Sequence, residues 1–273
     1  MTPAENAETL EGLYRRLNRR RYIHPDPLEF LHDYDDQADL EVVALVASSL
    51  AVGRVSLILK SVSIVLKLMG PNPARYLSGA TQKRMVSSLD GFKHRFITGR
   101  NVIALLTAAK QLIKRYGSLR ECFIAGMRAD DETVLGALKT FAGRLIEAGD
   151  GGCGWCVPDP LRNSACKRLN LMLRWLVRQD EVDPGGWTCV GAEKLIVPLD
   201  THMHKIGLAM GATRRKSADM RTALEITGEF RRISPNDPVK YDFALTRLGI
   251  RDEMDLPALL AQYADDTRER AYA

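Results

Sequence analysis

From Leu40 to Met69 the chain reads LEVVALVASSLAVGRVSLILKSVSIVLKLM, apolar on every side and interrupted at Gly53-Arg54. A helix that is apolar all round has to be buried, and a glycine beside a charge marks a turn. The run therefore predicts two buried helices meeting at Gly53, around which the rest of the chain must pack. The other periodic segments repeat at helical spacing as well. Asn101 to Tyr116 and Glu132 to Ala148 carry apolar residues at i, i+3 and i+4, each closed by a glycine, Gly117 and Gly149. No stretch alternates with period two, so the expected fold class is all-α.

At 273 residues the chain is long enough for a well-buried core, in one or two domains. The segment GDGGCGWCVPDPLRNSA, Gly149 to Ala165, is rich in Gly and Pro and lacks periodicity, so it reads as a long connection between subdomains. The expected organisation is two helical subdomains, 39–150 and 166–250, with flanking helices over 1–38 and 251–273. The N-terminus MTPAENAETLEGLYRRLNRRR lacks the apolar core of a secretory signal, and no uninterrupted apolar run approaches a membrane span. A cytoplasmic protein with no membrane partner is expected.

Thirty-nine Lys and Arg against 34 Asp and Glu leave a net charge of +5, which permits a nucleic-acid partner. The basic residues cluster. Arg15, Arg16, Arg19, Arg20 and Arg21 lie together, then Lys83, Arg84, Lys93, His94, Arg95 and Arg100, then Arg214, Arg215 and Lys216. They either hold a polyanion at several points or form solvated helix faces. Five cysteines, an odd number without an export signal, argue against structural disulfides. Cys153-x-x-Cys156 followed by Cys166 has the start of a zinc or iron-sulfur spacing, but the 22-residue gap to Cys189 breaks a compact ligand set. Buried thiols are expected, with no metal and no cofactor.

Two helix starts carry the residues of chemical interest. Lys167 heads the helix CKRLNLMLRWLVR, which buries Leu169, Met172, Leu173 and Leu176 and directs Lys167, Arg174 and Arg178 along another face, available to an anion. Asp200, in VPLDTHMHKIG, is an N-cap for a helix burying Met203, Ile206, Gly207 and Met210. One carboxylate oxygen can cap while the other faces a cleft. A last helix is expected from Asp237-Pro238, N-cap and N1 proline, through VKYDFALTRLGI, carrying Asp242.

The order of a lysine-headed helix, a turn, LIVPLDTHMHKIG and then NDPVKYDFALTRLG resembles the helix-hairpin-helix DNA glycosylase superfamily, in which a Val-Asp-Thr-His segment carries the catalytic aspartate. DLEVVALVASSLAVGR is similar to that superfamily's early helix-turn, and the likeness runs from about Asp39 to Ile250. Within the superfamily the chain is most similar to the archaeal 8-oxoguanine glycosylase branch, whose wide lysine-to-aspartate spacing it shares. It also resembles an uncharacterised bacterial family with a CKRLNLFLRWMVR-like helix and a PLDTH turn. The resemblance implies a lyase lysine at Lys167, a catalytic aspartate at Asp200 and a base contact from Asp242, in a cleft between two subdomains that binds DNA. Two departures stand out. The Leu-Pro-Gly-Val-Gly hairpin is absent, with VDPGGW at most a remnant, and Thr246 occupies the position of an aromatic residue one turn after Asp242.

The implied partner is double-stranded DNA with a damaged base, 8-oxoguanine foremost, bound by a monomer near the nucleoid. Trp155, Trp175 and Trp187 offer surfaces for an extruded base, and His202 either lines the site or only flanks it. Arg54, Arg168, Arg174, Arg214 and Arg215 are the candidate phosphate contacts. Lysine attack on C1′ needs a free amine, so the pKa of Lys167 must fall, as burial and a helix N-terminus both dictate. Two readings compete. One is a DNA- or RNA-binding module without chemistry. The other is a metal-dependent hydrolase, because Asp200, His202 and His204 form an Asp-x-His-x-His motif; on a strand those residues would share a face, but the 69 residues that follow cannot complete the barrel in which it occurs.

Overall fold

The computed structural model describes residues 3–162, 164–250 and 261. Among the described residues the fold is all-α apart from one short hairpin. Helices α1 (Pro3–Leu17), α2 (Gln37–Ser49), α3 (Val55–Met69), α4 (Pro73–Gly79) and α5 (Gln82–Ser88) precede strands β1 (Lys93–His94) and β2 (Ile97–Thr98). Then come α6 (Gly99–Tyr116), α7 (Leu119–Ile124), α8 (Leu135–Ala148), α9 (Lys167–Val177), α10 (Thr201–Ala209), α11 (Met220–Ile233) and α12 (Asp242–Ile250). The flanking segment expected over 1–38 contains α1 and two 3-10 turns, whereas 251–273 lies outside the described residues apart from position 261.

The apolar run of 40–69 forms the expected pair, α2 and α3, parted by Leu50 to Arg54 with Gly53 at φ +104°. Asp36 starts α2 by accepting the amides of Ala38 and Asp39 at 2.9 and 3.0 Å. Eleven consecutive residues of α2, Asp39 to Ser49, are buried, so this helix is the axis of the molecule, with α9 packed against it. Two of those residues are acids. Asp39 accepts the amide of Ala74 at 2.7 Å, and Glu41 accepts the amides of Leu119 and Arg120 and the indole N–H of Trp187, which satisfies both carboxylates internally.

Gly117 closes α6 at φ +94°, a conformation that favours glycine. Gly149 ends α8 differently. Its φ is −91°, and what it supplies is space, because a Cβ there would meet Cys153 Sγ at 2.9 Å and Ala104 O at 3.1 Å. After the 149–165 connection, Cys166 takes the left-handed conformation (φ +49°), a strain on the order of 1–2 kcal/mol that turns the chain sharply and makes Lys167 the first residue of α9.

Two segments depart from expectation. The last helix begins at Asp242, not at Asp237-Pro238. Asp237 is held by Arg178 Nε at 2.9 Å, and residues 237–242 form tight turns in which Lys240 N bonds Asp237 O and Asp242 N bonds Val239 O. The VDPGGW segment folds back on the end of α9, where Gly185 N and Trp187 N take the carbonyls of Trp175 and Leu176 at 3.0 and 2.7 Å. The apolar side chains from α1 to α12 merge into one core. No single helix among the described residues is long and apolar enough to cross a membrane.

Candidate active site

The α2–α3 turn, the start of α9, the start of α10 and α12 converge on a cleft of about 700 Å³. Lys167, Asp200, His202 and Asp242 all line it, together with Asp26, Gly53, Arg54, Arg95, Arg174, Thr246 and Arg247. Residues far apart in sequence thus meet because α9 packs on α2 while α10 and α12 pack on each other.

Lys167 is half-buried, and its amine makes one long hydrogen bond, to Ala51 O at 3.5 Å, with no ion pair among the described residues. Burial holds its pKa below the ordinary lysine value, an effect that nearby Asp200, Asp26 and Asp242 partly offset. Asp200 caps α10 through one oxygen. Oδ1 accepts the amides of His202 and Met203, both at 2.9 Å, which fixes the side chain and leaves Oδ2 without a protein hydrogen bond among the described residues. An amine that is not tied up as a salt bridge and a carboxylate fixed by one oxygen therefore open on the same space.

Asp242 lies on the cleft floor, buried, with Oδ2 on Arg174 and Oδ1 without a partner among the described residues. Burial raises its pKa to about 6, against the pull of the Arg174 guanidinium and with a further push from Asp200 and Asp183. Beneath it is a closed charge network. Arg174 Nε and Nη2 bond Asp183 Oδ1 at 3.2 and 3.1 Å, and Arg178 bonds Asp183, Asp180 and Asp237. Both arginines are therefore withdrawn from any phosphate, which corrects the expectation that their face stays available: the helix carries them inward, where four aspartates await them.

Other expected site residues are redistributed. Trp175 and Trp187 are fully buried, Trp187 against Phe123 at 5.6 Å, and so present no face to an extruded base. Arg168 is committed to two carbonyls, Ser49 O at 2.9 Å and Trp155 O at 2.8 Å, and ties the long connection to the end of α2. Arg215 is paired with Asp219 at 2.8 Å and Thr222 at 3.0 Å, which leaves Arg214 and Arg54 as the exposed members of the phosphate set, and of these only Arg54 lines the cleft. His202 reaches the cleft with Nδ1 unpartnered among the described residues, packed against Gly249.

His204 Nε2–H instead donates to Arg215 O at 2.8 Å. Asp200 to His204 is the start of a helix and not a strand, so the two histidines diverge, and the described residues contain no group of three metal-ligating side chains. Cys153, Cys156 and Cys166 are buried thiols whose pKa values burial pushes to about 11, 12 and 11.

Asp26 and Arg247 escaped the sequence reading. They pair at 2.5 Å across the cleft wall, with Arg247 over the Phe243 ring at 4.4 Å. The only available signal was Asp26-Pro27, which does form an N-cap and N1 proline.

Searches among curated proteins and among solved structures find no match. Residues 26–251 match the model of the protein family of unknown function DUF2400, a span that contains every residue lining the cleft, and the chain belongs to that family.

Proposed function

We propose that this protein is a DNA glycosylase with lyase activity that excises an oxidised purine, 8-oxoguanine first among them, by way of a lysine Schiff base. The observation that carries the reading is the meeting of an unpaired, partly desolvated Lys167 amine with the half-free Asp200 carboxylate in one cleft, as the resemblance to helix-hairpin-helix glycosylases implies. An ordinary lysine holds only about one amine in a thousand deprotonated near pH 7.5, and each unit by which burial lowers its pKa multiplies that fraction tenfold. The Lys167 lone pair attacks C1′, and the electron pair of the glycosidic bond leaves with the base, which takes up a proton. Opening of the sugar ring gives the imine, and loss of a C2′ proton then expels the 3′ phosphate. Asp200 Oδ2 faces the sugar and stabilises the positive charge that develops on it. Asp242, with a free Oδ1 and a proton that comes and goes near pH 6, contacts the base.

Base release and strand nicking on duplexes bearing 8-oxoguanine, other oxidised bases or an abasic site test the proposal. Lys167→Gln should abolish nicking, and Asp200→Asn should slow base release at least a hundredfold, in the range of a lost electrostatic stabiliser. Unaltered DNA affinity with no product on any substrate would favour a binding module on the same scaffold.

A further inference from the structure

Beside the cleft stands a feature that this chemistry does not use. His94 pairs with Ile97, so β1 and β2 are joined by the two residues Arg95 and Phe96, with Arg95 at φ +54° as such tight turns require. The hairpin is firmly anchored. Buried His94 donates from Nε2 to Val52 O at 3.0 Å and accepts the Ser61 hydroxyl at Nδ1 at 2.9 Å, and burial lowers its pKa, which keeps the ring neutral. Arg95 lies against Gly53, where an added Cβ would come within 2.7 Å of its Cδ.

Phe96 is 41% exposed and packs at 5.1 Å, tilted by 48°, against Trp155, itself 59% exposed. The Arg95 guanidinium sits 5.9 Å from the Phe96 centroid. Trp155 is held in place through its carbonyl by Arg168, the neighbour of Lys167, and its loop by Asn101 Nδ2 on Gly152 O at 2.8 Å.

Two large rings left in water beside a cleft signal a partner. Charge indicates which. From Val42 to Arg120 the chain carries 13 Lys and Arg and one acid, Asp90, and Arg54, Lys93, Arg95 and Arg100 among them are exposed. A polyanion with flat aromatic units meets both requirements, since stacking is tolerant of base identity and the cations take the phosphates.

We propose that Phe96 and Trp155 form a stacking platform for an unpaired nucleobase lying outside the cleft, with the adjoining phosphates on Arg95 and Arg54. The platform rests on the reading of the cleft as a nucleic-acid site and extends it: the protein grips a nucleotide beside the one in the cleft and prefers substrates in which that base is unstacked.

Trp155 is the exposed tryptophan of the three, Trp175 and Trp187 being fully buried, so quenching of emission by a bound strand reports on it directly. The Lys167→Gln protein would be titrated with a fluorescein-labelled single strand and with its duplex, anisotropy giving affinity and, with unlabelled strands, tryptophan emission giving stacking. Binding of the single strand should quench emission, Trp155→Phe should remove the quench, and Trp155→Ala or Phe96→Ala should each weaken binding roughly tenfold. Binding without a quench, and with affinity unchanged in both alanine variants, overturns the platform while leaving the glycosylase reading intact. Absence of binding to any nucleic acid overturns both. A concentration-dependent dimer abolished by Trp155→Ala would assign the pair to self-association instead.

Discussion

Replacing Asp242 with asparagine should remove one limb of the protein's stability–pH curve. Burial raises the Asp242 pKa from an ordinary 3.8 to about 6, despite the ion pair with Arg174. The folded state therefore holds this proton more tightly than the unfolded chain does. The resulting stabilisation is fully present below about pH 3.8 and is lost as pH rises through about 6. A difference of about two units corresponds to about 3 kcal/mol at 1.36 kcal/mol per unit, or about 6–12 °C in Tm for a chain of this size. Asparagine keeps the shape and an oxygen for Arg174 but cannot titrate. Urea or thermal unfolding of both proteins from pH 4 to pH 8 should show the wild type losing about 2.5 kcal/mol relative to the variant, most of it between pH 4 and pH 6.5. Parallel curves across that range would refute the assignment of a buried, perturbed carboxyl to Asp242.

Arg174→Met should destabilise the protein by about 3–5 kcal/mol, because it leaves buried Asp242 without its cation and Asp183 with Arg178 alone; Arg232→Met, which breaks an exposed pair with Glu229, should cost under about 1 kcal/mol by the same denaturation assay. Gly249→Ala should displace His202, whose ring occupies the space of the new methyl group, and reduce base release while shifting Tm little; unchanged turnover would remove His202 from the site. The yield of imine trapped with an abasic duplex should rise with pH and level off below the ordinary lysine pKa of 10.5, because the lowered pKa frees the Lys167 amine at a lower pH; a profile still climbing at pH 10.5 would contradict its desolvation.

The helical framework was legible where composition and spacing act locally. An apolar run broken at Gly53 can only be two buried helices, and the cap at Asp200 follows from a short acceptor before an amphipathic segment. Lys167, Asp200 and Asp242 were singled out by the resemblance to the helix-hairpin-helix glycosylases, and the packing of α9 on α2 and α12 on α10 brings the three to one cleft. What failed was the fate of charged and aromatic side chains, which depends on partners remote in sequence. Arg174 and Arg178 read as a face available to an anion because periodicity cannot reveal Asp183, Asp237 and Asp242 waiting inside. Trp187 goes inward because Glu41, 146 residues away, accepts its N–H. The hairpin at Lys93–Thr98 is too short for alternation to register, and its position comes from His94 reaching Val52 and Ser61.

The most direct test of the central claim is borohydride trapping of the purified protein on duplexes carrying 8-oxoguanine or an abasic site. The account predicts a covalent protein–DNA adduct that maps to Lys167 and disappears in Lys167→Gln while DNA affinity is retained. DNA binding with no adduct on either substrate, or an adduct that survives in Lys167→Gln, would contradict it.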